Sequence, residues 1–135
     1  MTQSPNIFPS LTYTDAPAAI EWLCRVLGFK QRLTVPGEQG TIRHAELSFG
    51  SGVIMLSSPR PDQGRQSPEA LGGVNQLLSL YVEDPDAHHA LALAAGAEII
   101  DSPKDEPHAA RGYMLSDPEE HLWYFGNCVP GAHWD

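Results

Sequence analysis

The sequence predicts an α+β fold built from two tandem βαβββ modules. Three observations carry this. Two alternating apolar segments, IFPSLTYT (7–14) and QLLSLYVE (76–83), each run into an aspartate, Asp15 and Asp84. Matching places recur at one interval, since Phe8 and Leu77, and likewise Met55 and Tyr124, lie 69 residues apart. Each half also ends in a hairpin pattern, RHAELSF–GSG–VIMLS in the first and RGYMLS–DPEEH–LWYFG in the second.

Taken in order, the alternation in 7–14 has the period of a strand. Asp15 can cap a helix with Pro17 in its first turn; Ile20, Leu23, Cys24 and Leu27 mark a buried face, and Gly28 stops it. FKQRLTV then reads as a strand leading to the first hairpin. The second half repeats the plan. Asp84 caps, Pro85 sits where its missing N–H costs nothing, Ala87, Leu91 and Ala94 form the expected inner face, and Gly96 ends the helix before AEIID. On this reading His88 and His89 are adjacent and face solvent, and Trp22 and Trp123 pack between helix and sheet.

The chain of 135 residues is expected to form a single domain, because neither half could bury its sheet alone. Module one spans about 5–57, a Pro-, Gly- and Ser-rich connection 58–75, module two about 76–127 and a tail 128–135, in which His133 and Trp134 are not placed. The formal net charge of −9 disfavours nucleic acid and anionic lipid. No apolar run is long enough to span a bilayer, and MTQSPN lacks the features of a signal peptide. Two cysteines without a CxxC, Cys24 and Cys128, make no disulfide framework. A cytoplasmic protein with reduced thiols is expected.

The stretches DAPAAIEWLCRVLGF, HAELSFGSGVIMLSSP, VEDPDAHHALALAAGAEI and DPEEHLWYFG resemble the vicinal-oxygen-chelate superfamily, which includes glyoxalase I, bleomycin-resistance proteins and extradiol dioxygenases. The similarity covers roughly residues 7 to 126, and its HAEL…GSGVIML block looks most like the branch labelled PhnB-like. The resemblance implies two curved mixed sheets that enclose a cavity, and a homodimer. Metal-using members place ligands at positions that correspond here to Phe8, Met55, Leu77 and Tyr124. A divalent ion wants imidazole, carboxylate or thiolate, so no metal and no other cofactor is expected. The DPEEH stretch matches the family's turn between the last two strands. Glu120 stands where glycine is common and is expected to be left-handed; His121 is then a turn residue, and Asp117, Glu119 and Glu120 a solvated tip.

Strand alternation selects the residues that would face the cavity. Leu11 and Tyr13, with Leu78, Leu80 and Val82, suit the helix side, which leaves Phe8, Ser10 and Thr12, with Leu77, Ser79 and Tyr81. Ala45, Leu47 and Phe49 form the apolar set of the third strand, so His44, Glu46 and Ser48 point inward; the same offset in the second module selects Arg111, Tyr113 and Leu115. The last strands add Val53, Met55 and Ser57, then Leu122 and Tyr124, and His108 lies in a loop that could border the cavity. The expected ligand-binding set is therefore Phe8, Ser10, Thr12, His44, Glu46, Met55, Leu77, Tyr81, Arg111, Tyr113 and Tyr124.

Apolar walls with a few polar handles suit a small organic molecule, and function could stop at binding. The alternative is an enzyme. In one version His44 and Glu46 recruit a metal as non-standard ligands for lyase, isomerase or dioxygenase chemistry; in the other, one of them is a metal-free general acid or base. A third reading is a pure interaction protein. The fold alone decides among none of these.

Overall fold

The computed structural model of the chain describes residues 5–107, 110–132 and 134, so the expectations for His108 and His133 lie outside the described residues. The chain divides after Gly73 into two compact units. Each contains one four-stranded mixed sheet and a helix, the α+β, two-module plan expected from the sequence.

In the first unit the strands are β1 (Ser10–Thr12), β2 (Lys30–Pro36), β3 (Ile42–Phe49) and β4 (Gly52–Ser57), in the order β1-β4-β3-β2. β1 runs parallel to β4, and the other pairs are antiparallel. Asp15 accepts a hydrogen bond from the Ala18 N–H and so caps α1 (Ala16–Trp22). A widened π turn, Leu23–Leu27, continues the helix to Gly28, which is left-handed at φ 95°. Leu23, Val26 and Leu27 of that turn are all buried, as are Leu11, Tyr13, Ala45, Leu47 and Leu56 on the strands of this unit and the residues that flank them. The connecting segment is folded rather than extended. Ser67 is fully buried, caps α2 (Pro68–Leu71) through the Ala70 N–H, and meets the Thr14 hydroxyl at 3.2 Å.

In the second unit β5 (Leu77–Tyr81), β6 (Glu98–Asp105), β7 (Arg111–Ser116) and β8 (Leu122–Gly126) take the order β5-β8-β7-β6. Asp84 caps α3 (Pro85–Ala94) through the Ala87 N–H. The inner face of α3 differs from the expectation. Leu91 is 72% exposed and Ala87 and Ala94 are also outside; Pro85 and Ala92 are buried instead, with half-buried His88 and His89 between them. The cause lies in the sheet. Tyr113 is fully buried and its hydroxyl needs a partner, which His88 Nδ1 supplies at 2.6 Å while the imidazole stacks on Phe125 at 4.2 Å. His89 meets the Tyr113 ring edge-on at 5.1 Å. The buried face of this alanine-rich helix carries two histidines while Leu91 lies on the other, so hydrophobic counting selected the wrong side.

Two hairpin turns of different length set the faces of the sheets. In the first, Phe49 pairs with Gly52 across two residues. In the second, the Asp117 N–H donates to the His121 carbonyl across three, and Glu120 takes the left-handed conformation at φ 74°, as expected. Asp117 is not part of a solvated tip. It is buried, and its Oδ1 accepts from the N–H groups of Glu119 and His121 while Oδ2 accepts from the indole N–H of fully buried Trp123. Glu120→Gly is expected to stabilise the chain by about 1 kcal/mol, because glycine adopts positive φ without the side-chain penalty. A higher urea midpoint with an unchanged slope would show it.

Candidate functional site

Each sheet has one face covered by its helix and one open face. On the first sheet, β4 and β3 bring Met55 opposite Glu46, and β1 brings Ser10 opposite Met55. The open face thus carries Ser10, Thr12, His44, Glu46, Ser48, Val53, Met55 and Ser57. His44 Nε2 lies 2.8 Å from Glu46 Oε2, both side chains a little over one-third exposed. Arg65, from the folded connection, donates to the Ser10 hydroxyl at 2.8 Å. Phe8 precedes β1 and is exposed; the adjoining Pro9 carbonyl accepts from the Met55 N–H. Thr12 and Ser57 are buried at the end of the parallel pair.

On the second sheet, Ser79 and Met114 flank Tyr124 on neighbouring strands, Leu77 pairs with Leu122, and Tyr81 pairs with Gly126. The open face is therefore Leu77, Ser79, Tyr81, Met114, Leu122 and Tyr124, mostly apolar. Tyr113 does not belong to it, and neither does Arg111. Tyr113 lies beneath α3, and the Arg111 guanidinium turns to the same side, with Nε 2.8 Å and Nη2 3.1 Å from the Asp86 carboxylate on α3 and Nη1 3.4 Å from Asp105. Hydrogen bonds from Arg111 hold the Asp86 carboxyl below its ordinary range, and Asp86 in turn raises the guanidinium.

The reason is register. Glu46 pairs with Met55 and Met114 pairs with Tyr124, so Glu46 corresponds to Met114, a shift of 68 (114 − 46). The longer second turn makes this one less than the shift of 69 between Met55 and Tyr124. A difference of one residue from the expected shift inverts the faces of β7, because strand side chains alternate with period two. The positions that correspond to His44 and Glu46 are Gly112 and Met114.

The sequence reading missed the glycines that shape this face. Gly112 and Gly126 pair across β7 and β8, and the Tyr124 ring lies over both; a Cβ on either would fall 2.8 Å from Tyr124 Cε1. Burial, then the charge of Glu106 with a hydrogen bond to its carboxylate, raise the Tyr124 phenol. The available signal was a pair of glycines inside strands, which marks a close approach.

The four positions that would hold a metal do not fit one. Phe8 and Leu77 have no donor atom, Met55 offers a thioether, and Tyr124 a phenol held in its neutral form. Among the described residues no three His, Cys, Asp or Glu side chains gather to hold an ion. On the helix side of the first sheet, Cys24 borders an open groove of about 590 Å³ with Ile20 and Gln31. Burial raises its thiol, which does not favour a reactive thiolate. No helix among the described residues is long and apolar enough to cross a membrane.

Residues 8–125 match the family model of the Glyoxalase/Bleomycin resistance protein/Dioxygenase superfamily. The chain is 31% identical over 134 residues to the protein Rv0887c of Mycobacterium tuberculosis H37Rv, covering 97% of this chain and 79% of that protein. The crystal structure of TioX from Micromonospora sp. ML1 is similar at a TM-score of 0.72 and 36% identity, covering 90% of this chain and 94% of that one. TnmS3, an antibiotic binding protein from Streptomyces sp. CB03234, shares the fold at a TM-score of 0.70 and 24% identity, covering 96% of this chain and 99% of that one.

Proposed function

Because the chain belongs to the glyoxalase/bleomycin resistance protein/dioxygenase superfamily, we propose that it binds a small organic molecule on the open faces of its sheets, without the superfamily's usual metal. The observation that carries this reading is the donor set. Phe8, Met55, Leu77 and Tyr124 replace ligating side chains by apolar and aromatic ones, which suit the wall of a binding site and not an ion. That TnmS3, with the same fold, is an antibiotic binding protein supports sequestration as the form the function takes. The HAELSF–GSG–VIMLS hairpin supports placing the chain in the PhnB-like branch. The same reading includes a homodimer in the cytoplasm with Cys24 and Cys128 reduced.

The direct test is the metal content of untagged protein purified without chelator, with zinc and nickel titrations and a thermal-shift screen of antibiotics. Less than about a tenth of an equivalent of metal, with saturable stabilisation by a screened compound, supports the reading. Near one tightly held ion per chain overturns it. For a compound found this way, His44→Ala is expected to weaken binding about three- to tenfold by calorimetry. Arg25→Ala, on α1's continuation away from the open face, should leave affinity unchanged. The His44–Glu46 contact at 2.8 Å favours a second reading, metal-free general acid–base catalysis on the bound molecule. Turnover that survives chelation and is lost in Glu46→Gln would establish it.

A further inference from the structure

The open face of the second sheet has a construction of its own. Gly112 and Gly126 leave a strip of bare backbone across two strands, and the Tyr124 ring is laid along it. A residue with a Cβ at Gly112 would push the ring upright. As built, one face of the ring rests on backbone while the side chain stays only half-buried. Around it Tyr81, paired with Gly126, is 50% exposed, and Leu77 and Met114 extend the apolar surface. A flat, rigidly backed ring in an apolar surround is a stacking surface.

The margin of this surface is acidic. β6 borders β7, and pairing of Glu98 with Ser116, Asp101 with Met114 and Lys104 with Gly112 turns all three β6 side chains toward the open face. Glu106 follows immediately, its N–H donating to the Ala110 carbonyl at 2.9 Å and its carboxylate within hydrogen-bonding reach of the Tyr124 phenol. Three carboxylates thus face one ammonium along the edge. A carboxylate that already accepts from a phenol keeps lone pairs for a second donor.

We propose that the open face of the second sheet is a platform for a planar aromatic cation, with the Tyr124 ring as its stacking surface and the Glu106 carboxylate as its counter-charge. This rests on the small-molecule reading above and names the class of molecule. The aromatic ring contributes stacking and attraction to positive charge, and the acidic edge adds a salt-sensitive preference for cations.

A matched series of acridines tests it by fluorescence titration: 9-aminoacridine, cationic at neutral pH, neutral acridine, and anionic acridine-9-carboxylate. The cation is expected to bind about tenfold more tightly than the neutral ring, with the anion weakest. Glu106→Gln should bring cation and neutral ring within about twofold, as should salt near 1 M, where screening acts within about 3 Å. Tyr124→Ala should weaken all three, the cation most, and so should Gly112→Ala by tilting the ring. Circular dichroism and the unfolding midpoint of both variants separate a lost platform from a lost fold. Equal affinity for cation and neutral ring overturns the counter-charge while leaving small-molecule binding intact. Undiminished binding in folded Tyr124→Ala overturns the platform. So would an absence of saturable acridine binding, or a dimer that Tyr81→Glu dissociates, since a second copy would then cover the face. The antibiotic screen and metal measurement judge the broader reading independently.

Discussion

Tyr113→Ala is expected to lower the unfolding free energy by about 3–5 kcal/mol, the range for emptying a large buried aromatic site. Tyr113 is fully buried between β7 and α3, stacked with Phe125 at a centroid distance of 5.7 Å and bonded to His88 at 2.6 Å. Truncation leaves a cavity and removes the buried polar tie between α3 and the sheet, while the Arg111–Asp86 pair remains at the surface. Tyr113→Phe keeps the ring and should cost only about 1 kcal/mol, the usual net worth of one hydrogen bond. Urea unfolding followed by tryptophan fluorescence measures both. A stable Tyr113→Ala protein with impaired ligand binding would instead put this side chain on the open face.

The same burial couples Tyr113 to alkaline pH. Desolvation favours the neutral phenol and raises its pKa far above the unfolded value near 10. A raised folded pKa means that the contribution is complete below about pH 10 and is lost as pH climbs toward the folded value. Wild-type protein should therefore lose stability above about pH 10, and Tyr113→Phe should lose less over the same interval.

The second large effect is at Asp117, where alanine is expected to cost about 3 kcal/mol. The carboxylate is buried and accepts from two backbone N–H groups and the Trp123 indole. Removing it leaves three donors without this acceptor, each worth on the order of 1 kcal/mol or more. Asp117→Asn can keep the two backbone bonds on its carbonyl oxygen but presents an NH₂ to the indole, so an intermediate loss is expected. Equal stability of wild type and Asp117→Ala would show that water replaces the carboxylate.

Most of the fold was legible because it rests on local chemistry. Asp15 and Asp84 cap where a strand meets a helix, Gly28 and Gly96 terminate in the left-handed conformation, and Glu120 accepts positive φ in its turn. The open face of the first sheet followed directly from alternation, since Ala45 and Leu47 mark the covered side of β3. The second sheet was misread at two long-range decisions. The offset of β7 depends on a turn one residue longer than its counterpart, and the inner face of α3 depends on the needs of a tyrosine 25 residues away. Neither is written in the segment it governs. Glu106 was passed over because a carboxylate beside a loop has no pattern of its own; it is the laid-down Tyr124 ring that gives it a partner in the sheet.

The extra turn residue has a consequence for how this chain tolerates change. Pairing of Asp117 with His121 across three residues sets which side of β7 faces α3. Deleting Glu120 leaves two ways to close the hairpin: the same pairing across two residues, as Phe49 and Gly52 close theirs, or a slide that, like a frameshift in a message, displaces every match by one. Should β7 slide by one to keep a three-residue turn, Tyr113 and Leu115 would surface and Gly112 and Met114 would be drawn under α3. The interchangeable part of each half is thus the helix–strand unit, and the hairpin tip is the punctuation that keeps it in frame.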